Sequence, residues 1–223
     1  MKRFLSKNSI ASLISISTLI AANNVSAHDY EVKVTNITQG QVFTPILGFI
    51  HSPAIKAFTL GQPAFPQVAI LAESGNTEPA KEALATLPDL ISGAHDTGAP
   101  LLPGESVILE FEAADGMTNV SVLAMLIPTN DAFFALNGAT LPAKGTDTYF
   151  SVAYDAGSEL NDESCVHIPG PASVCTGEGV STAGGEGFVH IHPGIHGIGD
   201  LAAAKYDWRN PVAQIEITRI FGD

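Results

Sequence analysis

The run Val120-Ser121-Val122-Leu123-Ala124-Met125-Leu126-Ile127 is nearly continuously apolar. It constrains the fold more than any other stretch, because such a run suits a central strand of a packed core. Other segments alternate instead. Tyr30 to Thr38 places Tyr30, Val32, Val34 and Asn36 on one side, which is the pattern of a half-buried strand and not of a helix. Val212 to Phe221 alternates as well and follows Pro211, a residue suited to the start of a strand. Ile46–Ile50, Val107–Phe111, Thr148–Ala153 and Phe188–His192 read as further strands. Two helical pieces interrupt them, Pro66–Glu73 and Glu78–Leu87. The second has Ala80, Ala83, Leu84 and Leu87 at helical spacing between Pro79 and Pro88. A third helix is expected to begin at Asn130 or Asp131. With 21 glycines and 14 prolines to make turns, many short strands point to an all-β chain, an antiparallel β-sandwich with short helices. The stretch from Asp155 to Gly187 departs from this pattern. It is long, polar and strand-poor, and long ordered loops in compact domains are often functional.

The first residues read as an export leader. Lys2, Arg3 and Lys7 give a basic start, Ile10 to Ala22 is apolar, and Val25-Ser26-Ala27 ends in small residues. The apolar segment is too short to span a bilayer comfortably. Cleavage after Ala27 divides the chain into a secretion signal, 1–27, and a single domain, 28–223. The destination is periplasmic, cell-surface or extracellular, and no integral membrane segment is expected in the mature chain. The formal charge is −13, and loss of the leader removes three further cations. Such an acidic surface repels phosphate backbones, which argues against a nucleic-acid partner, and it suits a monomer that stays in solution. Cys165 and Cys175 are the two cysteines, and an oxidising compartment makes a local disulfide between them the default.

Three carboxylates stand out. Asp131 lies in Ile127-Pro128-Thr129-Asn130-Asp131-Ala132-Phe133, and Asp155 and Glu159 lie in Tyr154-Asp155-Ala156-Gly157-Ser158-Glu159. Both clusters directly follow apolar strands. Carboxylates at strand exits can converge on a hard cation, and Ca²⁺ takes six to eight oxygen ligands. Asn161, Asp162 and Glu163 are close enough in sequence to contribute. The competing reading is structural: Asp131 as a helix cap and Asp155 with Gly157 as turn chemistry.

A second cluster is Phe188-Val189-His190-Ile191-His192-Pro193-Gly194-Ile195-His196. His190 and His192 share one face of a strand. With His196 they could take Zn²⁺ or Cu²⁺, or pack against the long loop and brace Asp155 from beneath. His28 would be the mature N-terminus, and an N-terminal histidine can chelate copper with a second histidine such as His95, His190 or His192. No serine stands in a nucleophile elbow. Trp208 is either a packing residue or a contact for sugar or protein.

Several of these segments resemble one family. Val122 to Phe133 is similar to the strand and turn of the spondin N-terminal domain, and Tyr154 to Glu159 to that family's aspartate-alanine-glycine-threonine-aspartate motif. Asn210 to Ile220 is similar to its closing strand, and Tyr30 to Asn36 to its first. The resemblance covers most of the mature chain, with a different region from Cys165 to Asp207. It implies a single-domain, C2-like β-sandwich of spondin type that binds Ca²⁺ through Asp131, Asp155 and, by position, Glu159. The glutamate departs from the family's aspartate, but it can bind Ca²⁺ through both oxygens. The thrombospondin-type repeats of animal members are absent. The expectation is therefore a secreted calcium-binding module, not an enzyme, with an extracellular protein or glycan partner. The competing class is a metal-dependent enzyme using His190, His192 and His196 or a copper site at His28.

Overall fold

The computed structural model describes residues 28–181 and 184–220. The expected leader, 1–27, lies outside them. Among the described residues the chain is an antiparallel β-sandwich of eleven strands with three short helices.

One sheet has four strands in the order β5 (Ser106–Ala113), β1 (His28–Asn36), β11 (Ala213–Ile220) and β8 (Thr146–Ser151). The register pairs Val32 with Ile217 and Val34 with Ile215, so the alternating apolar residues of the first and last strands stand side by side. The other sheet runs β10 (His190–Ile191), β9 (Ala153–Asp155), β7 (Ala132–Thr140), β6 (Asn119–Ile127), β3 (Leu47–His51) and β4 (Ile91–Asp96), with β2 (Val42–Phe43) also pairing β6.

Two apolar layers explain why β6 is apolar along nearly its whole length. Val120, Val122, Ala124 and Leu126 face the four-stranded sheet and pack with Val32, Val34, Leu109, Ile215 and Ile217. Leu123 faces the other way and joins Leu47, Phe49, Phe133 and Ala135 beneath helix α1 (Pro66–Ser74) and helix α2 (Glu78–Ala85). Each large side chain withdrawn this fully from water contributes about 1.5–3 kcal/mol. Ser121, the one polar residue in the run, is buried and satisfied by the His51 ring and the Gly138 amide. The third helix, α3, is the single turn Ala203–Tyr206.

The helix expected at Asn130 or Asp131 does not form. The chain instead makes the tight turn Pro128–Asp131, where the Thr129 hydroxyl donates to the Leu126 carbonyl and accepts from the Ala132 amide, and then returns as β7. Ala132 and Phe134 enter one apolar layer while Phe133 and Ala135 enter the other. Burial on both faces removes the polar alternation that marks a strand in sequence, and pairing with β6 and β9 overrides local propensity.

A disulfide joins Cys165 and Cys175, which fits an exported protein. Among the described residues no helix is long and apolar enough to cross a membrane. In a chain-entropy account, closing this short loop stabilises the fold by about 2–3 kcal/mol. The double substitution Cys165→Ser with Cys175→Ser should lower the free energy of unfolding, read from urea denaturation, by that amount. Under reducing conditions, where the wild-type bridge is open too, the two proteins should unfold at the same urea concentration, and a difference that persists there would show that the substitutions act by more than opening the bridge.

Candidate metal centre

Three short pieces of chain meet at one edge of the larger sheet. The register sets Asp155 opposite Ala132 on one side and opposite His190 on the other. Asp131, one residue before β7, accepts the Ala156 amide on its backbone carbonyl at 3.2 Å. Sheet pairing therefore brings Asp131, Asp155 and His190 together from three parts of the sequence.

Asp155 is fully buried. Its Oδ1 accepts the Gly157 amide at 2.7 Å and its Oδ2 accepts the Asn161 side-chain amide at 2.6 Å. Burial raises its pKa, against the opposing pull of Asn161 and Gly157. Asp131 is also fully buried. Its Oδ2 accepts from the amides of Ser158 at 2.8 Å and Glu159 at 3.1 Å and from the Ser158 hydroxyl at 3.2 Å, while its Oδ1 is buried with no hydrogen-bond partner. Burial, reinforced by the charge of Asp155, pushes Asp131 up to about 8.

Glu159 donates its amide to Asp131, and its side chain lies near Ser181, Asn130 and Glu73 of α1. Both carboxylate oxygens are buried without a hydrogen bond. Burial pushes its pKa up to about 7. Ser181 and Asn130 oppose that shift, and the buried Glu73 of α1 adds to it.

Among the described residues, Asp155, Glu186 and His190 offer ligand atoms that all lie within 4.8 Å of one another, so this group could hold a metal ion. Asp131 and Glu159 stand outside that group. Glu186 was not singled out in the sequence, where it is one charge within Gly184-Gly185-Glu186-Gly187. It reaches the site because the Gly187 amide bonds the Gly157 carbonyl at 2.8 Å, zipping this segment onto the Asp155 turn.

The neighbouring polar residues are committed to building the loop. Asn161 accepts from His192 Nε2 at 3.0 Å while its amide serves Asp155, and His192 Nδ1 accepts the Gly194 amide at 3.0 Å. His192 is thus buried with both ring nitrogens engaged, and its ring lies 5.1 Å from that of Trp208, which is also buried. It braces Asp155 from beneath through Asn161. Burial, with the charges of His190 and His196, holds its pKa down to about 3. Glu163 gathers the amides of His196, Gly197 and Ile198. Asp162 accepts from Asn130, Ser164 and His167. His28 opens β1 opposite Ala113 in the four-stranded sheet, whereas His190 belongs to the other sheet.

No family model matches the chain, and no curated protein was found to match it.

Proposed function

We propose that the protein is an exported, calcium-binding β-sandwich module of spondin type. The ion sits at Asp131 and Asp155, with Glu159 at its margin, and pins the Asp155 loop to the strand exit. The partner is an extracellular protein or glycan. One observation carries this reading: Asp131, fully buried beside Asp155, keeps an oxygen that nothing among the described residues satisfies. A buried carboxylate without a partner is costly, and a hard cation that takes oxygen ligands removes that cost. Three further observations support it. Glu159 has two more unpartnered oxygens. The loop is already fastened by Asn161, His192 and Glu163, so a cation would meet a preorganised cradle. The motifs around Asp131 and Asp155 resemble those of the spondin N-terminal domain.

The test is the thermal midpoint of the mature protein in EDTA and with added Ca²⁺. At one hundred times its dissociation constant, Ca²⁺ should stabilise the fold by about 2.7 kcal/mol, and Asp131→Asn should abolish that response. An unresponsive wild type, or a full response in Asp131→Asn, rejects the reading.

A further inference from the structure

The group formed by Asp155, Glu186 and His190 has a chemistry that the calcium reading does not use. His190 Nδ1 lies 3.0 Å from the Ile191 carbonyl. A carbonyl only accepts, so Nδ1 carries a proton, and whenever the ring is neutral the lone pair is on Nε2. This is the way a protein orients a histidine that ligates metal through Nε2. That Nε2 is buried with no hydrogen bond. It points between two carboxylates, 3.6 Å from Asp155 Oδ1 and 3.5 Å from Glu186 Oε2.

Three lone-pair donors facing one another repel unless a positive centre lies among them. The separations say what kind of centre fits. They exceed the usual N–H···O range of about 2.7–3.2 Å. A tetrahedral ion with bonds of about 2.0–2.2 Å has ligand-to-ligand edges of about 3.3–3.6 Å; the two separations from Nε2 fall there, and the three ligand atoms lie within 4.8 Å of one another.

From this geometry we infer that Asp155, Glu186 and His190 form a second metal site, one for a divalent transition ion of the zinc class with an open coordination position. The imidazole selects against Ca²⁺ and Mg²⁺, which take oxygen ligands, and for Zn²⁺ or its first-row neighbours. The three ligands are held from separate directions. His190 is fixed by its pairing with Asp155 across β9 and β10, and the Phe188 ring lies 5.3 Å from its own. Glu186 is delivered by the Gly157–Gly187 contact. Its side chain is 38 % exposed whereas that of Asp155 is 0 % exposed, so the fourth position opens towards solvent, where water or a small anion completes the shell.

The site shares only Asp155 with the calcium cradle, so the two readings can fail independently. The experiment is calorimetric titration of the metal-free mature protein with Zn²⁺, together with the visible absorption of its Co²⁺ form. One equivalent of Zn²⁺ should bind, and Co²⁺ should give the intense absorption of a tetrahedral centre. Glu186→Gln changes a partly exposed side chain and should fold normally. It and His190→Gln should each weaken Zn²⁺ binding about 100-fold or more while preserving the Ca²⁺ response. Asp131→Asn should abolish the Ca²⁺ response and preserve Zn²⁺ binding. Unchanged Zn²⁺ affinity in Glu186→Gln and His190→Gln, no stoichiometric binding, or only the weak absorption of an octahedral ion would each overturn the proposal. The last two would leave His190 as a protonated ion-pair partner of the two carboxylates.

Discussion

Replacing Gly157 by alanine is expected to cost about 2–4 kcal/mol and to loosen both sides of the candidate metal centre. Gly157 has φ +65°, where an L side chain is strained, and a Cβ there would lie 2.3 Å from the Phe188 carbonyl oxygen and 2.7 Å from its amide nitrogen. These are backbone atoms and cannot swing aside as a side chain would. Phe188 cannot retreat freely either, because the Gly187 amide bonds Gly157 and the adjoining Val189 exchanges backbone hydrogen bonds with Gly61 and Gln62. The dihedral alone costs about 1 kcal/mol. Forcing a methyl into a filled space adds about 1–3 kcal/mol or more. Gly116→Ala separates the two contributions, since Gly116 has φ +83° but nothing within 4 Å of its would-be Cβ. The check is urea unfolding of both variants. A loss at Gly157 no greater than that at Gly116 would mean that the 157–188 contact is slack, and the delivery of Glu186 to Asp155 would lose its support.

The same contact shows how far the chain could be read in advance. The alternation of Tyr30, Val32 and Val34 placed β1 in a half-buried sheet, and these residues are buried against the opposing sheet. The apolar run of β6 marked the central strand, because period and burial are local properties. β7 was misread because Ala132, Phe133, Phe134 and Ala135 are buried on both faces, and an apolar run that includes alanines suits helix as well as strand. Asp131 and Asp155 drew attention in the sequence because each stands at a strand exit, and both are buried in the structure. His190 was noticed for its spacing with His192, yet the two rings do different work: one nitrogen of His190 is unpartnered, while both nitrogens of His192 are used. Glu186 and Glu73 carried no local signal. Glu186 meets Asp155 across about thirty residues of loop, and Glu73 of α1 bears on Glu159 through its charge, so only the folded chain brings them near.

Raising the pH of the metal-free protein from 6.5 to 8 should destabilise it, and Asp131→Asn should remove much of that loss. Asp131 has a folded pKa of about 8 against an ordinary value of 3.8, and Glu159 one of about 7 against 4.5. Across this range the native state keeps protons that the unfolded state has lost. The stability such groups contribute is complete below their ordinary pKa and is lost as pH rises through the folded value. The slope approaches about 1.4 kcal/mol per pH unit for each proton so retained. Asp155 and His190, both raised, act in the same direction. Burial lowers His51 and His95 and holds His192 at about 3, all below the ordinary 6.5. Their contributions run the opposite way and fade within about one pH unit above that value, as the unfolded imidazoles lose their protons. The carboxylates Asp96, Asp162 and Asp207, lowered from 3.8, act only in acid. Towards pH 8 the raised groups are therefore left to set the slope. In EDTA, Asp131→Asn should be more stable than the wild type at pH 8, and its advantage should shrink towards pH 6.5. Ca²⁺ replaces the protons on the buried carboxylates, so it should flatten the wild-type curve and stabilise most at the alkaline end. Urea unfolding at several pH values, with and without Ca²⁺, reads all of this. If the two proteins lose stability in parallel in EDTA, Asp131 is ionised and satisfied without a metal, and its unpartnered oxygen is no argument for an ion.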